Sequence, residues 1–212
     1  MYQKLLDRFF KESEVKEDEV PSAPAFAHFY LTLENNPEAN EKIQETLNEA
    51  VLKEKPEREK EALAEKAEIE SATSSEQLVR IMRRNTDPLN QHILVDKAME
   101  FEDEIIPDIV KRLKTSLNDG FIETAIRILT KSKKNVADEL IGCFDDIRNP
   151  YAQSMILVML GFKADEARIP WFIEKFKELK MRYPNESYCE GAYYALWEME
   201  SRFYPMGKGR KK

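Results

Sequence analysis

One column of side chains in this sequence has the types and spacing that could support acid–base or metal chemistry. His92 is followed by Asp96 one helical turn later and by Glu100 one turn beyond, so the three would share one face of a helix. A carboxylate can orient an imidazole for proton transfer, and the same atoms can be metal ligands. We interpret the column as a surface stripe of charge, because the chain has 2 histidines and no motif for a mixed-ligand metal site.

A second acidic pair, Asp145 and Asp146, is unusual because it comes near a predicted helix end, where the helix dipole disfavours negative charge. The other histidine, His28, lies among aromatic residues, which is typical of a core or boundary histidine bonded to a nearby acceptor. The sequence has no glycine-rich phosphate loop, serine-centred elbow or paired cysteine motif. We therefore predict no catalytic residue, no metal site, no cofactor and no enzyme activity.

Aromatic side chains that could bind a partner are concentrated near the C-terminus, at Trp171, Tyr193, Tyr194 and Trp197. We interpret each as part of a large terminal core, and an exposed subset as the alternative. Such a subset would be a recognition anchor, because Trp and Tyr dominate interface hot spots. Tyr193 and Tyr194 point about 100° apart on a helix, so we expect them to differ in burial.

The charge of the chain limits its partners. The 212 residues carry a formal net charge of -7, and four cations lie in the last five residues, so the remaining body is more acidic still. An acidic body disfavours nucleic acid and anionic membranes as partners, because phosphate attraction drives most non-specific binding. Cys143 and Cys189 lie in apolar context and read as reduced, buried thiols, with a disulfide or redox pair as the alternative.

No secretion signal is visible, because charged residues interrupt the opening segment, and the apolar run at 155–160 is too short to span a bilayer. We therefore expect a cytoplasmic location.

The elements that must position these residues are predicted to be helices, since the chain has only 6 glycines among many charged residues. Residues 1–72 form an N-terminal helical segment, which includes a charged helix or spacer at 53–70. Residues 73–204 form a repeat domain, and 205–212 a basic flexible tail. The helix at 1–11 is amphipathic and predicted to pack on the body or on a partner; we keep self-association through it as an alternative.

From residue 75 onward the pattern is periodic. Four helix pairs are predicted, at 75–84 with 88–100, 103–115 with 120–131, 135–145 with 150–162, and 166–182 with 186–203. The turns inside the pairs contain Asn85, Asn118, Asn149 and Asn185, which are 33, 31 and 36 residues apart. This period is typical of solenoids built from paired helices.

The segment at 104–113, Glu-Ile-Ile-Pro-Asp-Ile-Val-Lys-Arg-Leu, and the segment at 118–129, Asn-Asp-Gly-Phe-Ile-Glu-Thr-Ala-Ile-Arg-Ile-Leu, together resemble a HEAT repeat. The junction at 159–170 is similar to that between two such repeats. The resemblance implies an all-α fold, a right-handed α–α superhelix of HEAT-like hairpins with an N-terminal helical extension. It also implies a concave face, lined by the second helices, that binds a protein or peptide as a non-catalytic scaffold.

The sequence departs from that family in one respect. HEAT units commonly place an arginine early in the second helix, where it bonds the turn aspartate of a neighbour. These positions hold Gln91, Glu123, Gln153 and Glu190, which we take as candidate concave-face residues. We therefore expect no Asp–Arg ladder, and cohesion by apolar burial. The residues expected to contribute are Ile122, Ile126, Leu129, Ile156, Leu157 and Leu160. The alternative function is a HEAT-like enzyme of the alkylpurine DNA glycosylase or bilin lyase type, which the acidic charge disfavours.

Overall fold

The computed structural model describes residues 2–13, 15, 21–54, 58–84 and 86–205, and throughout these ranges the regular structure is helical, with no strand. The all-α class is thus confirmed. The α-helices are α1 (Gln3–Glu12), α2 (Ala23–Glu34), α3 (Pro37–Glu54), α4 (Arg58–Glu70), α5 (Ser75–Met82), α6 (Gln91–Met99), α7 (Glu102–Leu113), α8 (Asp119–Lys131), α9 (Ala137–Gly142), α10 (Pro150–Lys163), α11 (Ile169–Arg182) and α12 (Glu190–Phe203). Asn85 and the basic tail from residue 206 lie outside the described residues.

The chain divides into two compact units by its internal contacts. The first unit comprises Met1–Phe29 and Asn135–Lys212, and the second comprises Tyr30–Lys134. The predicted boundary after residue 72 falls inside the second unit, so these units do not correspond to the predicted division. The charged helix α4 packs against α6, because Ala62 and Ile69 turn into the core. Although the sequence predicts a spacer here, α4 is therefore a packed element of the second unit.

In the second unit three helices pack on the helix two places along the chain. α4 contacts α6, α5 contacts α7, and α6 contacts α8. Side-chain bonds repeat the same offset: Thr124 donates to Gln91 across 33 residues, and Asn118 donates to the Arg83 carbonyl across 35. Both separations are close to the period read from the sequence, so successive hairpins of this unit lie side by side.

The asparagines that mark the period have a local structural role. Asn118 caps α8 by accepting from the Phe121 N–H at 2.7 Å, and Asn149 caps α10 by accepting from the Tyr151 N–H at 3.0 Å. An asparagine at this position satisfies an N–H that the first turn of a helix leaves unpaired. Two of the second helices therefore start where the sequence pattern places them.

In the first unit α12 packs against both α10 and α11. The approach to α10 is close because small residues meet at two levels. A Cβ added to Gly161 would lie 2.6 Å from the Ala195 Cα, and one added to Gly191 would lie 2.2 Å from the Ser154 carbonyl oxygen. These two contacts fix the spacing of the α10–α12 pair.

Ion pairs spaced by about one repeat add to the apolar cohesion that the sequence predicts. Arg168 pairs with Asp138 and Lys175 with Asp145, each at 2.7 Å and across 30 residues, and Arg58 pairs with Asp87 across 29. Arg168 and Lys175 belong to the predicted first helix of the fourth pair and Arg58 belongs to α4, so none of these cations lies at the second-helix positions that the family pattern uses. Apolar burial is present as expected, and the six residues predicted to supply it are all 0% exposed.

Candidate functional site

Two of the four predicted aromatic residues meet at one face of α12. Tyr194 and Trp197 are one helical turn apart, and their rings stack with centroids 5.9 Å apart and planes inclined by 22°. Tyr193 makes edge contacts with Tyr194 and with Phe10 of α1, each with ring centroids 5.4 Å apart. Both tyrosines are half-buried, so the predicted difference in their burial is not seen.

A histidine from α2 completes the stack. The His28 ring lies 5.6 Å from Tyr194 and 5.9 Å from Trp197, and its plane is inclined by only 13° to the indole. Its Nε2 lies 3.2 Å from Glu198 Oε2, and Phe162 of α10 contacts the ring at 5.6 Å. The histidine is therefore held by an acidic acceptor, as the sequence predicts, but within a partly open aromatic group.

Three aromatic side chains of the first unit are exposed to a degree unusual for their size. Phe26 and Phe29 of α2 are 55% and 52% exposed, and Trp197 is 47% exposed. We call these three, together with His28 and Tyr194, the aromatic surface. The two helices that carry these exposed rings meet through the His28–Trp197 contact, which makes this part of the first unit a candidate binding surface.

Trp171, the fourth predicted aromatic residue, belongs to a different environment. It packs edge-on against Phe144 at 5.2 Å, and the Lys175 ammonium lies 5.9 Å from its ring. Burial alone would lower the pKa of Lys175, but the hydrogen bonds that its ammonium donates to Asp145 and Glu178 raise it above the ordinary lysine value. Asp145, one of the acidic pair singled out in the sequence, is thus bound in an ion pair.

Three of the four residues at the arginine positions of the family make hydrogen bonds to other segments of the chain. Gln91 accepts from Thr124 at 3.2 Å, and Gln153, which is buried, donates to the Ile147 carbonyl at 2.7 Å. Glu190 accepts from the Ser22 hydroxyl. Each of these three joins an element to a neighbouring one. Glu123 is half-buried on α8.

The predicted column of His92, Asp96 and Glu100 does not act as one group, because its two acids lie in separate ion pairs. Asp96 accepts from Lys131, and Glu100 accepts from Lys97 at 2.6 Å. His92 Nδ1 is buried and has no hydrogen-bond partner within the part of the chain that the structure describes. The three residues therefore do not form the oriented imidazole or the metal site that their spacing would allow.

A buried polar cluster in the second unit was not anticipated from the sequence. Arg127 of α8 bonds Glu34 of α2, and the two side chains are 10% and 1% exposed. The guanidinium also lies 5.3 Å from the Tyr30 ring, whose hydroxyl is buried. Burial raises the pKa of Tyr30, and Glu123 raises it further. In the sequence, the feature that could have indicated this cluster is Arg127 itself, a charged residue within a mostly apolar segment.

We expect the stability of the second unit to depend on the protonation of His92. Burial lowers its pKa below the ordinary value of 6.5; Asp96 and Glu34 oppose the change, while Arg127 and Lys131 add to it. The unfolded chain therefore binds the proton first as the pH falls below about 6.5, and stability is lost in that range. For one proton the free energy of unfolding can change by at most about 1.4 kcal/mol per pH unit. Solvent screening of the part-exposed ring keeps the change below this limit.

Urea unfolding at pH 7.5 and pH 5.5, on the wild type and on His92→Gln, measures this effect. The variant should lose less stability than the wild type between the two values. Equal losses of stability in the wild type and the variant would show that other titrating groups cause the pH dependence.

Neither cysteine takes part in a disulfide. Cys189 is buried as predicted, and burial raises its pKa, whereas Cys143 is only half-buried. Within the described ranges no cluster of three or more His, Cys, Asp or Glu side chains could hold a metal ion, and no helix has the length and apolar character to cross a bilayer. Comparison with protein-family models, curated proteins and solved structures finds no match for this chain.

Proposed function

We propose that this chain is a non-catalytic interaction module that binds a protein or peptide, with the aromatic surface as its anchor. The observation that carries the proposal is the exposure of Phe26, Phe29 and Trp197, each near half, on adjoining helices of one unit. Water-exposed aromatic area of this kind gains free energy when a partner covers it, at roughly 25 cal/mol per Å². Trp and Tyr are also the residues most enriched at the centres of interfaces.

The stacking of the rings also favours binding. His28, Tyr194 and Trp197 hold one another in position, so little side-chain freedom remains to be lost when a partner docks. Glu198 further restrains the imidazole. A rigid aromatic platform pays a smaller entropic cost on binding than a mobile one.

We further propose that the hairpins stack as HEAT-like repeats and that the partner lies along the second helices, to which α12 belongs. The alternating helix contacts and the side-chain bonds across 29 to 35 residues within each unit support this arrangement. The proposed location is the cytoplasm. Self-association through α1 is a weaker proposal, because its apolar residues Leu6 and Phe9 are already buried inside the first unit.

Replacing the anchor should weaken partner binding strongly. We expect Trp197→Ala, or the double change Phe26→Ser with Phe29→Ser, to weaken the affinity for a captured partner by at least about tenfold, since a hot spot contributes ~2 kcal/mol or more. The partner is recovered with the wild-type chain from native lysate, purified, and its dissociation constant measured by calorimetry.

The matched control is Met181→Ser, because Met181 is 77% exposed in the same unit but lies on α11, outside the aromatic surface. Its affinity should stay within about twofold of the wild type. The proposal fails if Met181→Ser weakens binding as much as the anchor variants, or if no partner distinguishes them from the wild type.

A further inference from the structure

A cleft of about 500 Å³ opens in the second unit where α5 and α7 end and α8 begins. One wall is fixed by Asn118, whose side chain donates to the Arg83 carbonyl at 3.0 Å and accepts from the Phe121 N–H at 2.7 Å. The Ser116 hydroxyl accepts from the Asn118 N–H at 3.2 Å. These bonds to backbone groups hold the three helix ends in one arrangement, so the cleft is preformed.

The cleft is cationic in an otherwise acidic protein. Two arginines line it, Arg83 and Arg112, and none of its described lining residues is acidic. Arg80 and Arg84 at the end of α5 make ion pairs with Glu76 and Glu68, and Arg112 of the cleft pairs with Asp108. Arg83 makes no ion pair within the described residues. In a chain with 40 acidic and 33 basic residues, such an arginine leaves a local surplus of positive charge.

The second arginine keeps donors available as well. Arg112 Nε donates to Asp108 at 2.7 Å, which restrains the side chain and engages one of its five N–H groups. The two Nη groups face no acid in the described lining of the cleft. Guanidinium groups bind carboxylate and phosphate oxygens through paired, charge-assisted hydrogen bonds. The Thr115 hydroxyl adds a neutral donor to the same lining.

An apolar wall lies beside these donors. Leu117 is 82% exposed and lines the cleft, while Phe121 below it is 2% exposed. A volume of about 500 Å³ is also several times that of an inorganic anion and falls within the range of small-ligand sites. A ligand that fills the cleft would therefore carry an anionic head and an apolar part.

We propose that this cleft is a binding site for an oxyanion, a phosphate monoester or a carboxylate, carried by a group with an apolar portion. Arg83 and Arg112 hold the anionic oxygens, and Leu117 covers the apolar portion. The site lies in the second unit and involves none of the residues of the aromatic surface, so it stands or falls independently of the proposed function. A small metabolite and a phosphorylated side chain of a peptide both present this chemistry.

The test is an NMR titration of the full chain at low salt with phenyl phosphate, with benzoate, and with a short peptide that contains one phosphotyrosine. We expect saturable shifts at the Asn118 and Phe121 amides with phenyl phosphate. Arg83→Gln should weaken binding by about tenfold or more, as expected for losing a charge-assisted hydrogen bond. A tighter fit of the peptide identifies a peptide source, and equal affinity identifies a small molecule; both support the site.

The matched control is Arg80→Gln, which removes the same charge from the same helix at a position already paired with Glu76. It should change the affinity by less than about twofold. The Arg83 variant keeps the backbone carbonyl that Asn118 bonds, so thermal unfolding should match the wild type. The proposal is overturned if phenyl phosphate gives no saturable shift at millimolar concentration or if both variants weaken binding equally.

Discussion

Gly191→Ala is expected to lower the free energy of unfolding by about 3 kcal/mol or more, which is among the largest effects of any single methyl group in this chain. The new Cβ would lie 2.2 Å from the Ser154 carbonyl oxygen and 2.8 Å from its carbonyl carbon. Backbone atoms cannot rotate away as a side chain can, so α12 must move off α10. That movement loosens a close-packed interface that also includes the Gly161–Ala195 contact.

Gly142→Ala is the matched control, because a Cβ at Gly142 would have no neighbour within 4 Å. Gly142 is the last residue of α9, where alanine is the better helix former, so stability should be unchanged or raised by up to ~1 kcal/mol. Urea unfolding followed by far-UV circular dichroism measures both variants. If Gly191→Ala unfolds at the wild-type midpoint, the α10–α12 spacing described above is wrong.

The elements most accurately predicted from the sequence are those whose signals are local. Ser74 accepts from the Gln77 N–H at the start of α5, and Asn118 and Asn149 likewise cap α8 and α10 by accepting from the N–H of Phe121 and of Tyr151. A cap acts within three residues of itself, and an amphipathic face within two turns, so both can be read from a short stretch of chain. The eight helices of the periodic region accordingly appear close to their predicted ranges.

Contacts between distant segments could not be read in the same way. His28 meets Glu198 across 170 residues, and Arg127 meets Glu34 across 93. No periodic pattern relates such positions, because they depend on where α2 packs and not on any local propensity. Hence Tyr194 and Trp197 could be proposed as anchors from their residue types, whereas the histidine stacked on them could only be interpreted as a boundary residue.

Ion pairs between neighbouring hairpins, about 30 residues apart in the chain, were equally beyond prediction from local sequence. The sequence indicates that second-helix arginines are missing, which is correct, but it does not indicate which cations replace them. Arg168 reaches Asp138 and Lys175 reaches Asp145 only because neighbouring first helices lie in one particular register. Register between hairpins is set by core packing, so a change of one turn would pair different residues.

Removing the arginine of the buried pair is the second change expected to have a large effect. Arg127→Ala should lower the free energy of unfolding by about 3–5 kcal/mol, because it leaves the Glu34 carboxylate buried without its counter-charge. That carboxylate is 1% exposed, and its Oε2 already lacks a hydrogen-bond partner within the described residues. The loss is measured by urea unfolding at neutral pH.

The exposed pair of Arg80 with Glu76 provides the matched control, since both side chains are more than 70% exposed. Arg80→Ala should cost at most about 0.5 kcal/mol. If Arg127→Ala costs no more than Arg80→Ala, Glu34 is hydrated in solution and the pair is not buried as described.

A double replacement separates the energy of the pair from the penalty of breaking it. Glu34→Leu with Arg127→Met keeps similar volumes and removes both charges, so we expect a stability equal to or above that of the wild type. Such a result would mean that the pair contributes little net stability and instead fixes the position of the end of α2 on α8, because only one register lets the guanidinium reach the carboxylate. NMR contacts between the end of α2 and α8 would then become weaker or multiple in the double variant. A double variant that is as unstable as Arg127→Ala would contradict this interpretation, since the loss would then come from the packing of the two side chains and not from an unpaired charge.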